Sequence, residues 1–275
     1  MIQLDSFQPA RLENAREIVR DLGSILVAYS GGVDSTLLLR LAMDELGGRT
    51  VAVLASSPAY PESEQSAARS LAREMGARLV EVNTSEVELE AYARNHPDRC
   101  FHCKEELFDT LEPLRLELGL AHLAYGATAD DAGDHRPGHA SAVRRGVRFP
   151  LLEAGMNKSD VRAAARALGL PNWNKPSFAC LSSRIPHGTA VTVAALRQIE
   201  AAEGALKAMG FAQVRVRHHD DVARIEVAPE DIARLVASRD QVTAAVRDAG
   251  YKFVSVDLEG YSTGHLNRTW QRRSS

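Results

Sequence analysis

Residues 25–39 read Ile25-Leu-Val-Ala-Tyr-Ser30-Gly-Gly-Val-Asp34-Ser35-Thr-Leu-Leu-Leu39. The unbroken apolar run from Ile25 to Tyr29 is what a strand buried on both faces requires. Two glycines then turn the chain, and Leu37 to Leu46 continues as a helix closed by Gly47-Gly48. Outward from this unit the alternation repeats. The spacing predicts helices over 12–22, 61–75, 102–118 and 161–168, and strands over 50–55, 79–82 and 122–125. Asn157 or Ser159 is placed to cap the last of these helices. Strands alternating with helices imply βαβ units, a mostly parallel sheet, and ligand-binding loops at the carboxyl ends of the strands. Beyond Leu170 the pattern changes. Pro171, Pro176 and Pro186 lie in a stretch without periodicity. A helix over 192–209 follows, then a hairpin of 213–216 with 223–227 across His218 to Asp221, helices near 230–237 and 241–249, and a strand over 253–258. The expected domains are therefore residues 1–187 and a smaller α+β domain of residues 188–275.

The 275 residues suit about two domains. With 45% hydrophobic and 25% charged residues the composition is globular, and it excludes a disordered or collagenous chain. A net charge of −3 advertises neither nucleic acid nor membrane, and 5% aromatics argue against a base-stacking RNA platform. No apolar run approaches the roughly 18 residues of a membrane span. Residues 1–20 carry Asp5, Glu13 and Glu17 and no apolar core, so no secretory signal is expected and the cytoplasm is the expected compartment. Three cysteines, an odd count, do not build a disulfide framework.

Ser30 to Ser35 is a phosphate cradle on physical grounds. Gly31 and Gly32 let backbone N–H groups approach an anion, the helix start adds unpaired N–H groups, and Ser30 and Ser35 add hydroxyl donors. No Gly-Lys-Ser/Thr follows, so it is not a Walker A loop. Asp34 departs from a simple anion site. It either holds magnesium against the phosphates or complements the helix N-terminus.

The run Ser30-Gly-Gly-Val33-Asp-Ser35 resembles the PP-loop of the ATP pyrophosphatases, which cleave ATP between the α- and β-phosphates and include enzymes of asparagine, GMP and NAD synthesis and of tRNA thiolation. The resemblance implies an α/β fold with a doubly wound parallel sheet of five strands. It also implies that backbone around Ala28 and Leu54 to Ser56 holds adenosine, and Gly126 is read as letting the backbone approach ATP.

Arg99-Cys100-Phe-His-Cys103-Lys104 is a CxxC pair, which on spacing alone is a metal, cluster or redox site or two incidental thiols. Cys180 lies far away, in Lys175-Pro-Ser-Phe-Ala-Cys180-Leu-Ser-Ser-Arg184-Ile-Pro186. A thiol needs positive neighbours to ionise, and Lys175 and Arg184 are close in sequence; an inert buried thiol is the alternative. Over residues 25–261 the chain is similar to a closer branch, the ATP-dependent sacrificial sulfur transferases of nickel-pincer cofactor assembly (the LarE family). Six segments carry this: 28–39, 99–104, 126–138, 180–188, the run 213–218 with 223–227, and 256–261. The run 262–267, Ser-Thr-Gly-His-Leu-Asn, departs from the Gly-Ser-Met-Asn-like run of relatives.

What the resemblance implies is specific. ATP adenylates a carboxylate of a pyridinium dicarboxylate mononucleotide. A cysteine thiolate, matched here by Cys180, captures the acyl group as a thioester. Cleavage of Cβ–S leaves a thiocarboxylate on the substrate and dehydroalanine on the protein. A second form of the family holds a 4Fe–4S cluster on three cysteines, matched by Cys100, Cys103 and Cys180, with the donor sulfide on the open iron. The CxxC pair, unnecessary for the sacrificial route, favours this form. The resemblance also places Arg215 and Arg217 on the substrate phosphate, links Glu203 and Glu226 to metal or substrate, adds Arg184 to the substrate site, and implies a homo-oligomer.

On residue grounds, Arg215 and Arg217 alternate on a strand and share a face, so a solvated face with surface pairs is the plainer reading. Surface charge is the plainer reading of Glu203 and Glu226. Asp130, Asp131 and Asp134 either hold magnesium or cap a turn. His102, His135, His139, His218 and His219 have no ligand spacing. Arg144, Arg145 and Arg148 read as a salt-bridged loop or solvated hairpin. Rival functions are an ammonia-dependent PP-loop amidotransferase, a tRNA thiolation enzyme and a non-enzymatic nucleotide-binding module.

Overall fold

The computed structural model describes residues 8–132 and 137–262. The elements run α1 (Pro9–Asp21), β1 (Ile25–Tyr29), α2 (Val33–Leu46), β2 (Thr50–Ser56), α3 (Glu62–Glu74), β3 (Leu79–Asn83), α4 (Glu90–Ala93), α5 (Arg99–Glu117), β4 (His122–Tyr125), α6 (Ala129–Ala132), α7 (Pro137–Arg144), α8 (Pro150–Glu153), α9 (Lys158–Ala167), α10 (Val193–Ala208), β5 (Val214–His219), β6 (Val222–Val227), α11 (Ile232–Ala237), α12 (Arg239–Asp248) and β7 (Phe253–Val256). They fall into two compact units. One holds residues up to Glu86 and Cys100–Phe178; the other holds Val87–Arg99 and everything from Ala179.

The first unit is a parallel sheet in the order β3-β2-β1-β4. All five residues of β1 are buried, as its unbroken apolar run demands. On one face Val27, Ala52 and Leu54 pack with Leu37, Leu41, Val161 and Ala164; on the other, Leu26, Val51, Val53 and Leu123 pack with Phe108 and Leu111. Helices thus cover both faces. The strand order reverses between β1 and β4, which places a crevice beyond their carboxyl ends.

Five strands were expected, and four form among the described residues. The fifth position is a single bridge, Ala124 with Arg148. Tyr125 N donates to Arg148 O and Arg148 N to Leu123 O, both at 2.9 Å. Pro150 then opens α8 at once, and its lack of an N–H stops the ladder. Asn157, not Ser159, caps α9, in a capping box with Asp160.

The second unit is a three-stranded sheet, β5-β6 antiparallel and β6-β7 parallel. Val214, Val216, Ile225 and Val227 pack with Ala202, Leu206, Leu235, Val242 and Val246. The hairpin turn is tighter than expected. His218 and His219 belong to β5, and the turn is Asp220-Asp221, with Asp220 at φ +51°, a backbone region Asp tolerates. His218 is buried, its Nδ1 3.1 Å from the Tyr251 hydroxyl. Residues 87–99 join this unit because buried Asn95 stitches them to the 185–189 segment. Its Nδ2 donates to the carbonyls of Ile185, Pro186 and Thr189 at 3.2, 2.8 and 2.9 Å. Among the described residues no helix is long and apolar enough to cross a membrane.

Candidate active site

In the first unit the Ser30–Ser35 turn closes on itself. Ser30 N donates to Ser35 Oγ, the two hydroxyls lie 3.2 Å apart, and Ser35 Oγ donates to Gly32 O. Gly32 precedes α2 without any side-chain cap, so the first N–H groups of that helix stay available to an anion. Two glycines make room. Gly31 has φ +68°, and a Cβ there would stand 2.6 Å from Ala68 Cβ. A Cβ on Gly126 would stand 2.9 Å from Ser35 N, so the end of β4 lies directly against the start of α2. Gly31 O accepts from Asn172 Nδ2 (3.1 Å) and Lys175 Nζ (3.4 Å), and Lys175 pairs with Glu64 at 2.8 Å. Ala28 is buried, and Ser56 Oγ is buried with no hydrogen-bond partner among the described residues.

Asp34 has its cation within the chain. Lys158 Nζ, at the start of α9, lies 2.5 Å from Asp34 Oδ2 and 3.7 Å from Asp131 Oδ2. Sequence reasoning missed Lys158 because it reads as an ordinary first-turn residue behind the Asn157 cap. Asp131 caps a turn, accepting from Thr128 N and Oγ1, both at 2.9 Å, and Asp130 accepts from Lys158 N at 2.6 Å. Asp131 thus caps its own turn, whereas Asp130 meets the backbone at the start of α9. Asp134, His135, the His139 side chain and residues 263–267 lie outside the described residues. A magnesium ion needs few protein ligands beside ATP, and Asp34 is the carboxylate that would hold it.

Cys100 and Cys103 stand one turn apart at the start of α5, the first exposed and the second half-buried. Lys104 Nζ lies 4.2 Å from the centroid of the Tyr125 ring. Burial opposes its charge, yet Tyr125, Cys103 and Cys100 together hold the ammonium above its ordinary value. Among the described residues no group of three His, Cys, Asp or Glu side chains is gathered that could hold a metal ion. Cys180 belongs to the second unit and the CxxC pair to the first, so neither unit carries the three-thiolate set. The basic run is salt-bridged: Arg144 and Arg145 pair with Glu105, Arg145 with Asp109, and Arg148 with Glu153.

In the second unit Cys180 precedes a 3-10 turn, Leu181–Arg184. Arg184 and Glu203 are wholly or almost wholly buried, 0% and 2% exposed. Arg184 Nε and Nη2 reach the two Glu203 oxygens at 2.8 and 2.9 Å, a bidentate pair, and Val216 N donates to the same carboxylate at 3.0 Å. Arg184 Nη1 donates to the carbonyls of Ala179 (2.5 Å) and Cys180 (2.9 Å), so it grips the backbone of the cysteine. Arg217 pairs with buried Glu226 at 2.6 Å, and Arg224 bridges Glu226 and Asp257. The two glutamates are thus buried ion-pair partners, not surface charge. Arg215 differs. It is half-buried, with its guanidinium 5.3 Å from the Tyr261 ring centroid and a hydrogen bond to Val214 O. Burial, then the charge of Arg184, pushes its pKa below the ordinary value, and no carboxylate pairs with it among the described residues. Of the arginines of β5 and β6, Arg217 and Arg224 are paired with carboxylates.

No family model matches the chain. It is 42% identical over 261 residues to the uncharacterized protein slr1717 of Synechocystis sp., covering 94% of this chain and 97% of that one. A match from Methanocaldococcus jannaschii, uncharacterized protein MJ0830, is 26% identical over 237 residues, 86% of this chain and 90% of that one. The pyridinium-3,5-bisthiocarboxylic acid mononucleotide synthase of Lactiplantibacillus plantarum is 38% identical over 252 residues. As that alignment takes in 91% of each chain, this protein belongs to the pyridinium-3,5-bisthiocarboxylic acid mononucleotide synthase family.

Proposed function

We propose that the protein is an ATP-dependent sulfur transferase of nickel-pincer cofactor assembly. It adenylates a carboxylate of pyridinium-3,5-biscarboxylic acid mononucleotide and converts it to a thiocarboxylate. The observation that carries the ATP half is the uncapped start of α2 behind Ser30–Ser35, pressed so closely by Gly126 that no side chain fits between. ATP binds there with adenosine along Ala28 and Ser56; Asp34 would hold a magnesium ion, which would supply positive charge beside the phosphates. Lys158 supplies a cation at the same carboxylate.

The substrate carboxylate attacks the α-phosphorus, the bond to the β-phosphate oxygen breaks, and pyrophosphate leaves. The Cys180 thiolate attacks the acyl carbon and AMP leaves. Loss of the Cα proton then breaks Cβ–S, leaving thiocarboxylate and dehydroalanine. Arg215 takes the substrate phosphate. The first unit serves ATP, and the domain from about residue 188 serves substrate binding and assembly of a homo-oligomer. Three cysteines outside any disulfide suit the cytoplasm. A cluster-borne sulfide is the second reading, favoured by the spacing of Cys100 and Cys103 on α5.

The test is anaerobic incubation of the protein with ATP and the dicarboxylate mononucleotide. Pyrophosphate, AMP and a thiocarboxylate product are expected, with the protein lighter by about 34 Da, the mass of H₂S, after Cβ–S cleavage. Absence of pyrophosphate overturns the reading; iron and labile sulfide in the purified protein, with no mass loss, select the cluster route. Two variants refine the assignment. Lys158→Met lowers the pyrophosphate-forming rate by about 10²-fold, the usual cost of one charge-stabilising donor. Arg215→Ala raises KM for the mononucleotide by about 10–100-fold, as loss of a charged hydrogen bond does, and leaves KM for ATP unchanged. Initial-rate kinetics check both.

A further inference from the structure

The turn that carries Cys180 is gripped almost entirely through its backbone carbonyls, and by arginines. Arg184 takes those of Ala179 and Cys180, Arg217 takes that of Ser183 at 3.1 Å, and Arg99 takes that of Ser182 at 2.9 Å. Arg184 and Arg217 each have a carboxylate partner. Arg99 has none among the described residues. It is 6% exposed, its other hydrogen bond goes to the neutral Asn95 Oδ1, and it faces the Tyr92 ring at 5.9 Å. The Tyr92 hydroxyl is in turn 2.6 Å from Ser182 Oγ. Asn95 holds the far side of the same turn through three carbonyls and adopts φ +56° to do so. A buried guanidinium without a counter-ion costs stability that a neutral side chain would not. What it supplies here is rigidity at the backbone two residues beyond the thiol.

We propose that Arg99 is a positioning residue for sulfur transfer. Its hydrogen bonds go to Asn95 and to the Cys180 turn. Together with Arg184 and Arg217 it holds the Cys180 turn in the one arrangement from which the sulfur reaches the acyl carbon. The inference rests on the proposed function and concerns its second half-reaction alone. Misplacement of a nucleophile by about 1 Å costs on the order of 10²-fold.

The experiment follows both half-reactions of the full-length protein, pyrophosphate release and thiocarboxylate formation, in single turnover. In Arg99→Gln thiocarboxylate formation falls about 100-fold while pyrophosphate release and KM for ATP stay within about twofold. Arg99→Lys, which keeps a donor for Ser182 O, recovers part of the loss. Tyr92→Phe removes one bond to the turn and no charge, and lowers thiocarboxylate formation several-fold, so the proposal stands or falls even where Arg99→Gln does not fold. Unchanged sulfur transfer in Arg99→Gln or Tyr92→Phe overturns it. So does a parallel fall of both half-reactions with a lowered Tm, which marks a purely structural residue. A wild-type protein that releases no pyrophosphate refutes the functional reading, and with it the half-reaction that this inference concerns.

Discussion

Cys180→Ala releases pyrophosphate from ATP and the dicarboxylate mononucleotide but forms no thiocarboxylate, a loss of at least about 10⁴-fold in sulfur transfer, as for removal of other covalent nucleophiles. The fold tolerates the change. The hydrogen bonds that hold the turn run to the carbonyls of residues 179, 180, 182 and 183 and to the Ser182 and Ser183 hydroxyls, not to the sulfur. Tm therefore stays within a few degrees of wild type. Pyrophosphate assay, mass spectrometry of the product and a thermal melt check the three statements. Sulfur transfer that survives in Cys180→Ala removes Cys180 from the chemistry altogether. An ammonia-dependent amidotransferase, the nearest rival, predicts full activity in this variant.

Gly126→Val lowers the pyrophosphate-forming rate by about 10³-fold. A Cβ at this position meets Ser35 N at 2.9 Å and Asp34 C at 3.0 Å. These are backbone atoms of the helix start, so no side chain can swing aside. Either α2 retreats from the phosphates or the end of β4 does, and misplacement on that scale removes much of the advantage of held reactants. The overpacking costs about 1–3 kcal/mol of stability. Rates at saturating ATP and the unfolding midpoint in urea measure the two effects. A Gly126→Val protein with unimpaired pyrophosphate release would show that ATP does not bind at this end of the sheet.

The parts legible in the sequence were those written in local pattern. The run Ile25–Tyr29 announces a central strand, the alternation after it a parallel sheet, and Gly31-Gly32 the turn into a helix, each within a few residues of where the structure places it. The hairpin of β5 and β6 is legible as well, although the pattern suggests a wider turn, because His218 and His219 look polar and one of them is buried. What stayed hidden depends on partners distant in the chain. Asp34 and Lys158 are 124 residues apart, and Arg99 and Ser182 are 83. For Glu203 and Glu226 the residues alone leave surface charge open, because nothing within a turn or strand of them reveals Arg184 or the packing that buries both. A charged residue in an amphipathic segment looks alike whether its partner is water or a guanidinium.

The parallel sheet ends abruptly at both sides. On one, β4 meets a single bridging residue, Arg148, and then Pro150; on the other, Glu81 of β3 is engaged by Arg69. An open row of N–H and C=O groups is a template on which a second chain can add a strand, and prolines and charges at the margin withhold it. The two margins thus leave a second copy little backbone on which to extend the sheet.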